Sequence, residues 1–562
     1  MPVRQRKAIM AAAVLAAAFV FVVLPLPARR LDLPRPQTQT AVGAFHIHTD
    51  RSDGSGTPDD VAASAALAGL QFIILTDHGD GTRVPDPPQY RSGVLVIDAV
   101  ELSTAGGHYI AIGLPQAPYP LRGEPRDVIE DVRRLGGFGV VAHPDSAKPS
   151  LQWHDWDAPF DAMEWLNADT EWRDEGPGAL ARAFVQYPLR AVETLGSLLD
   201  RPDPTLSRWD AATRRRRVVA LAGADAHARA GWRDEDADGY RRTWFLRIPS
   251  YSVSFRTFAL RAEVDRPLGD SANADGAQIL ASLKAGRVYS GIDALASPAA
   301  LQFSAAVENR RASQGELLDV RGPVSFVARS NAATGGSIFL LRDGSILKQE
   351  PLPELRFVST SGQGTYRVEI HLSSAPGTPP VPWIVSNPIY VQPAGWEGAP
   401  AWTHPIATDA RGIQGGPWHV EKSDASTAQV SQQNHPQGPV ELAYRLADGG
   451  GGAPYAALVI GVGDALTTRT RLAFRAHASQ PMRISVQARR PRSGERWHRS
   501  IYLDTQPRDI IVPFSELKPV GVGPAASFDP ALTDTVLFVV DTTNTKTGTS
   551  GSVSVRDLRV ER

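Results

Sequence analysis

The 562-residue chain contains no cysteine. Disulfides, thiolate metal sites and a cysteine nucleophile are thereby excluded. An excess of either charge is missing too: 59 Lys and Arg stand against 60 Asp and Glu. There is no basic footprint of the kind that binds nucleic acid. The local run Arg214–Arg217 reads as a solvated helix end ahead of a buried strand. No repeat of fixed period occurs, and no Ser-His-Asp arrangement, P-loop or Rossmann fingerprint competes for the function.

What is present begins with a targeting pattern. Arg4, Arg6 and Lys7 precede the uncharged apolar run Ala8–Leu24, which Pro25 ends. A signal peptide over residues 1–28 and a signal anchor both fit. A run of roughly 17 residues is near the short limit for spanning a bilayer. Leu26-Pro27-Ala28 is a poor A-x-A cleavage site, which favours an uncleaved anchor. The expected location is therefore outside the cytoplasmic membrane, anchored facing outward, or periplasmic or extracellular if cleaved. Residues 29–43 read as a Pro-rich linker.

At roughly 150 residues per domain, the length predicts three or four domains. Over residues 44–296 strand-like and helical runs alternate. Phe45–His48, Phe72–Leu75, Val94–Val100, Val140–Ala142 and Val218–Ala222 read as strands. Thr57 caps an Ala-rich helix that opens with Pro58 and stops near Gly69. This rhythm predicts a parallel sheet or barrel. Residues 169–210 carry helical signals alone and read as an insertion beside the site. Residues 300–391 have β-sandwich texture, 392–417 form a linker, and 418–562 are again all-β.

Seven of the 13 histidines precede residue 230, and six of those seven fall at or near strand ends beside acids. His46 and His48 sit two apart on a predicted strand, so both imidazoles face one side. Asp53 follows in a Gly/Ser turn. Asp77-His78, Glu101 with His108, His143, and Asp225-Ala226-His227 each follow a predicted strand. In barrels, functional groups gather at the C-terminal ends of strands. His, Asp and Glu together suit divalent cations that serve hydrolysis. Asp77 is expected to orient a ligand rather than to be one.

The ordered set HIH…SDG, TDH, Glu101 with His108, AHP and ADAH resembles the PHP (polymerase and histidinol phosphatase) metallohydrolases over about half the chain. The segment Leu283–Tyr289 resembles the close of the domain in larger exported members, which include a carbaryl-hydrolase-like branch. The resemblance implies a distorted (β/α)7 PHP barrel with two or three divalent ions (Zn, Mn or Fe), followed here by two all-β domains. The first would be an Ig-like sandwich and the second jelly-roll or galactose-binding-like. It implies His46, His48, Glu101 and Asp225 around one ion. Glu101 would bridge to a second ion with His108 and His143, and Asp53, His78 and His227 would surround a third. Glu101, Asp225 and His227 carry the catalytic expectation. Glu164, Asn167 and Arg229 are expected to contact substrate, and Arg83 and Arg173 are further phosphate-binding candidates.

The expected function is a metal-dependent phosphoesterase acting through a metal-bridged hydroxide on a small-molecule or envelope-derived ester. A carboxylic ester or carbamate hydrolase on the same site is the alternative, with the Trp-rich segment Trp153–Trp172 lining an apolar pocket. A third reading is an envelope glycan-binding or structural protein, with Trp418, Trp497 and Tyr502 as sugar platforms. Membrane contact would come through the N-terminal segment, and no nucleic acid is expected.

Overall fold

The computed structural model describes residues 3–23, 26–35, 39–231, 245–269, 271–319, 321–360, 362–396, 398, 409–413, 416–432, 438–449, 453–521 and 527–562. Much of the expected 392–417 linker lies outside the described residues. Residues 1–79, 85–115 and 132–399 form one compact unit, and residues 80–84, 116–131 and 400–562 form a second.

Seven strands of the first unit close on themselves: β1 (Thr40–Phe45), β2 (Phe72–Leu75), β3 (Val94–Thr104), β4 (Gly107–Ile112), β5 (Phe138–Val141), β6 (Ala162–Asn167) and β7 (Val219–Gly223). β1, β2 and β3 pair in parallel, β4 runs antiparallel between β3 and β5, and β5, β6 and β7 are parallel again. The chain just past β1 and β7 completes the ring through a parallel bridge of Ile47 with Ala226. β2, β5 and β7 are buried along their whole length, as strands covered on both faces must be.

The helix Pro58–Ala68 forms where the sequence predicts it. Thr57 and Asp60 make a reciprocal capping box, Pro58 opens the first turn, and Gly69 ends it at φ 81°. A strict strand–helix alternation is not met. β2 leads to β3, and β5 to β6, without an intervening helix. β3 and β4 form a tight hairpin, which only antiparallel strands permit. That hairpin carries β3 on to Thr104, so Glu101 lies within the strand rather than past its end.

The insertion holds the helices Ala168–Arg173, Pro177–Gly196 and Asp203–Thr213. The second is kinked. Pro188 lies inside it, and Arg190 has φ −149° and ψ 67°. Arg216 and Arg217, expected as merely solvated, donate to the carbonyls of Ala158 and Gly315 respectively.

Residues 301–392 build two facing sheets, packed through Phe326 against Tyr366 at a centroid distance of 4.3 Å. They are not a detached domain, because Ile384–Ser386 pairs antiparallel with Val288–Gly291. Val288–Gly291 in turn pairs with Ala259–Glu263, which pairs with β1. The N-terminal helix Val3–Val23 exposes Ile9, Met10, Val14, Leu15 and Phe19. Among the described residues no helix is long and apolar enough to cross a membrane.

The second unit is a sandwich of two six-stranded antiparallel sheets. Leu442, Leu458, Phe474 and Val540 lie fully buried between them. One sheet also buries its outer face, where Ala457, Val459, Leu537 and Val539 form a smaller cluster. Arg483, 2% exposed, reaches Asp131 at 2.8 Å, Glu130 at 2.6 Å and Asp127 at 3.4 Å. Removing one partner of such a buried ionic cluster leaves charge uncompensated. Arg483→Ala should therefore destabilise this unit by about 3–5 kcal/mol, read as a lowered unfolding midpoint. An unchanged midpoint would show that the cluster contributes nothing.

The proposed sugar platforms fare differently from expectation. Trp497 is 2% exposed and packs on Phe528, and Trp418 packs toward the core beside Phe538. The half-buried Tyr502 faces Tyr119, with its hydroxyl on Asp504. These rings are engaged by their own unit and form no open stacking surface.

Candidate metal centre

The donors collect at one end of the seven-strand ring. His46, His48, Glu101, His143 and Asp225 are all buried. His46 does not continue β1 as the spacing predicts. Its φ is +64°, so the chain turns inward immediately after Phe45. His143 and Asp225, beyond the ends of β5 and β7, also have left-handed φ of 30° and 42°. Such backbone is unfavourable for non-glycine residues by about 1–3 kcal/mol each and persists where the surrounding structure enforces it. Here it folds three side chains into one interior. The His46 and His48 rings still converge, with centroids 5.2 Å apart.

Glu101 is the hub. Its Oε2 lies 3.3, 3.2 and 3.3 Å from nitrogens of His46, His48 and His78, and its Oε1 lies 2.7 and 3.0 Å from His108 and His143. Asp225 Oδ1 is 3.4 Å from both His46 Nε2 and His48 Nε2. Asp53 Oδ1 sits 3.2 Å from His227, 3.5 Å from His48 and 3.8 Å from His78. Four overlapping donor sets result: His48, Asp53, His78 and His227; His46, His143 and Asp225; His46, His48 and Glu101; His78, Glu101 and His108. All nine expected ligands are thus brought together. The partition differs in that His143 groups with His46 and Asp225, and His48 joins the Asp53 set.

The spacings separate two kinds of contact. Two donors bound to one cation at about 2.1 Å stand roughly 3.0–3.4 Å apart, whereas charge-assisted hydrogen bonds run near 2.7–2.9 Å. Most donor pairs here fall at 3.2–3.5 Å. His48 Nε2 is buried without a hydrogen bond among the described residues. The donor chemistry and the spacing both fit divalent cations.

Outer partners fix which nitrogen faces inward. His46 Nδ1 meets Glu164 Oε1 at 2.7 Å, His143 Nδ1–H donates to Leu151 O at 3.2 Å, and His227 Nδ1–H donates to Asp225 O at 2.9 Å. In each ring Nε2 is left for the interior, the arrangement that orients metal-ligating histidines. Glu164 and Asn167, expected at the substrate, stand behind the donors instead. Glu164 Oε2 accepts from His143 N at 2.6 Å and from Asn167 Nδ2 at 2.8 Å, and Asn167 also donates to Asp225 at 3.3 Å. Both are buried and hydrogen-bonded to ligand residues, and neither lines the cavity described below. Asp77 orients the loop and not a ring: it accepts from Thr49 N, Thr49 Oγ1 and Ser52 Oγ.

The electrostatics are those of a buried anionic nest. Burial alone would raise the carboxylates, yet the neighbouring histidines hold Glu101, Asp225 and Asp53 well below their usual range. Burial would lower His48, but Asp225 and Glu101 outweigh it and push the imidazole up to about 10. A cation ligated by these imidazoles must displace their protons, so its binding is expected to strengthen as pH rises.

Tyr251 escaped the sequence reading. Its buried hydroxyl lies 2.8 Å from His48 O and 3.1 Å from His227 O, and it accepts from Ser55 N at 3.1 Å. It ties the first and last ligand loops together. A lone tyrosine 203 residues from His48 leaves no local signal.

Asp225 and His227 also line a cavity of about 440 Å³ whose other walls come from the insertion and from residues beyond β7, including Leu246, Ile248 and Ser254. Arg229 lines it and donates to Asp53 O at 3.5 Å. Arg173 lines it too, paired with Asp169 and stacked on Trp172 at 4.5 Å. Arg83 is exposed and donates to Val84 O. Of the Trp-rich segment, Trp172 reaches the cavity, whereas Trp153 and Trp165 are buried core.

Glu171, buried in the cavity wall, accepts from Asp200 N at 3.1 Å. Burial, with Asp200, Asp174 and Glu175 nearby, pushes its carboxyl up from 4.5 to about 8. A raised acid binds its proton more tightly folded than unfolded, so stability is lost as pH rises from 4.5 towards 8. At about 1.36 kcal/mol per pH unit, the effect is at most roughly 5 kcal/mol. Glu171→Gln should raise the melting midpoint at pH 8 and leave it near wild type at pH 4.5. Equal shifts at both pH values would refute the assignment.

No family model and no curated protein matches the chain. Among solved structures it is similar to a two-domain protein containing a predicted PHP-like metal-dependent phosphoesterase from Bacteroides vulgatus. The identity is 15%, covering 61% of this chain and 94% of that one, with a TM-score of 0.29. It is also similar to the family 11 carbohydrate-binding module of a cellulosomal cellulase of Clostridium thermocellum, at 16% identity over 28% of this chain and 96% of that one, TM-score 0.23. The same family's module from that organism in complex with a β-1,3-1,4-mixed-linked tetrasaccharide gives 14%, 28%, 97% and 0.22.

Proposed function

We propose that the protein is an exported metal-dependent hydrolase, with a distorted (β/α)7 barrel of the PHP type, that cleaves a phosphoric ester. The observation that carries this reading is the convergence of nine His, Asp and Glu donors at cation-edge spacing beside a cavity. His46, His48, Glu101 and Asp225 would hold one cation. His143 would join this first cation, Glu101, His78 and His108 would serve a second, and Asp53 with His48, His78 and His227 a third. Bound Zn, Mn or Fe would lower the pKa of a water to around 7 and neutralise charge on the ester oxygens. The chain's own groups do the rest. Asp225 and His227 reach the cavity wall, so the donor centre faces the cavity. Arg229, half-buried on the same wall, is placed to bind a phosphate oxygen. Glu164 and Asn167 keep the ligands oriented.

Carboxylic ester or carbamate hydrolysis uses the same donors, and the apolar cavity wall favours keeping it as a second reading. The test is elemental analysis of the purified full-length protein together with aryl phosphates and aryl esters. At least two divalent ions per chain are expected, with aryl phosphate hydrolysis lost on chelation and restored by Mn or Zn. A metal content below one per chain overturns the polynuclear reading. Turnover of aryl esters alone would favour the second.

A further inference from the structure

We infer that the scissile ester carries an apolar group, held between the kinked insertion helix Pro177–Gly196 and the chain beyond β7. This rests on the metal-dependent hydrolase reading and names the class of its substrate. The cavity of about 440 Å³ lies within the range of small-ligand sites, roughly 300–1,000 Å³. Asp225, His227 and Arg229 line it, as do the charged residues Asp169, Glu171 and Arg173 of the insertion. The rest of the wall includes Leu180, Phe184, Leu195 and Leu198, with Trp172 and Ile248. The charged residues of that wall are largely committed to one another or to backbone: Arg173 to Asp169, and Glu171 to Asp200 N. Of the hydroxyls in the lining, Tyr187 accepts from Ser250 N and Thr194 Oγ1 is buried without a hydrogen bond among the described residues, while apolar side chains make up most of the wall.

One apolar residue of the lining also reaches solvent. Phe184 is 64% exposed although it lines the cavity. An exposed phenylalanine lining a pocket that also reaches Asp225 and His227 suits an amphiphile, with its head at the donors and its tail along the helix. The kink at Pro188 and Arg190 bends the helix that forms this wall.

Full burial of a tail makes each added methylene worth about fourfold in affinity. Non-hydrolysable phosphonates read this without turnover. The full-length protein, loaded with Mn, is titrated calorimetrically with methyl-, butyl-, hexyl- and octylphosphonate below their aggregation limits. Affinity is expected to rise about fourfold per methylene until the cavity is filled. Leu180→Gln and Leu195→Gln, at half-buried wall positions, should flatten that rise. Affinity independent of chain length, with methylphosphonate still bound, overturns the inference and leaves the phosphoesterase reading standing. Failure of every phosphonate to bind overturns the phosphoesterase reading itself. The wild-type series decides the matter even if a variant does not fold.

Discussion

Glu101→Gln is expected to cut kcat/KM on an aryl phosphate by at least about 10²–10³-fold, since loss of a mere orienting partner already costs 10–100-fold. The substitution preserves shape and removes one charge. That charge is shared by His46, His48, His78, His108 and His143, all within 3.3 Å of a Glu101 oxygen. Without it, cations that share the hub lose their common anionic ligand. Metal content per chain should therefore fall together with activity. The metal-free variant should still fold, because Gln can occupy the same space and hydrogen-bond the imidazoles. Elemental analysis and circular dichroism on one preparation check both halves. A variant with full metal content and unchanged turnover would remove Glu101 from the centre.

Gly223→Ala is expected to be as damaging without touching any donor. A Cβ at Gly223 would lie 1.7 Å from Glu164 Oε1 and 2.4 Å from its Cδ. Glu164 cannot yield freely, because it holds His46 at 2.7 Å and the His143 amide at 2.6 Å. Overpacking of this kind costs about 1–3 kcal/mol, and the displaced Glu164 should weaken metal affinity by about 10–100-fold. The mechanism is separable from a general packing defect. In a Glu164→Ala background the clash disappears, so the added effect of Gly223→Ala should shrink sharply. Equal effects in the two backgrounds would show that glycine is required there for another reason.

Legibility varied with how local the signal was. The Thr57–Gly69 helix is written in adjacent residues, namely a cap, a proline and a terminal glycine, and it forms as read. The strand assigned to Phe45–His48 stops at Phe45, because convergence on a buried centre demanded a left-handed turn that periodicity does not encode. Glu164 and Asn167 were placed at the substrate because a strand end looks the same from either side. Only the fold shows that they hydrogen-bond to His46, His143 and Asp225 from behind. The sandwich read as a separate domain joins the first unit by main-chain pairing between Ile384–Ser386 and Val288–Gly291, residues almost a hundred positions apart. Trp418, Trp497 and Tyr502 were ambiguous because an aromatic on a strand serves a core or a surface equally well.

By itself the sequence determined the chemistry of the centre. Without cysteine, a chain that places histidines and acids after successive apolar strands has only imidazole and carboxylate to offer, and nine such residues in order specify the donors. Tertiary structure alone decided how those donors are shared, what stands behind them and what lies in front. Glu101 becomes a hub, Glu164 and Tyr251 become supports, and the insertion becomes an apolar wall. The physical reason is that these roles depend on contacts between residues 50 to 200 positions apart, set by ring closure between β1 and β7 and by backbone in the left-handed region. Neither leaves a trace in local composition or periodicity.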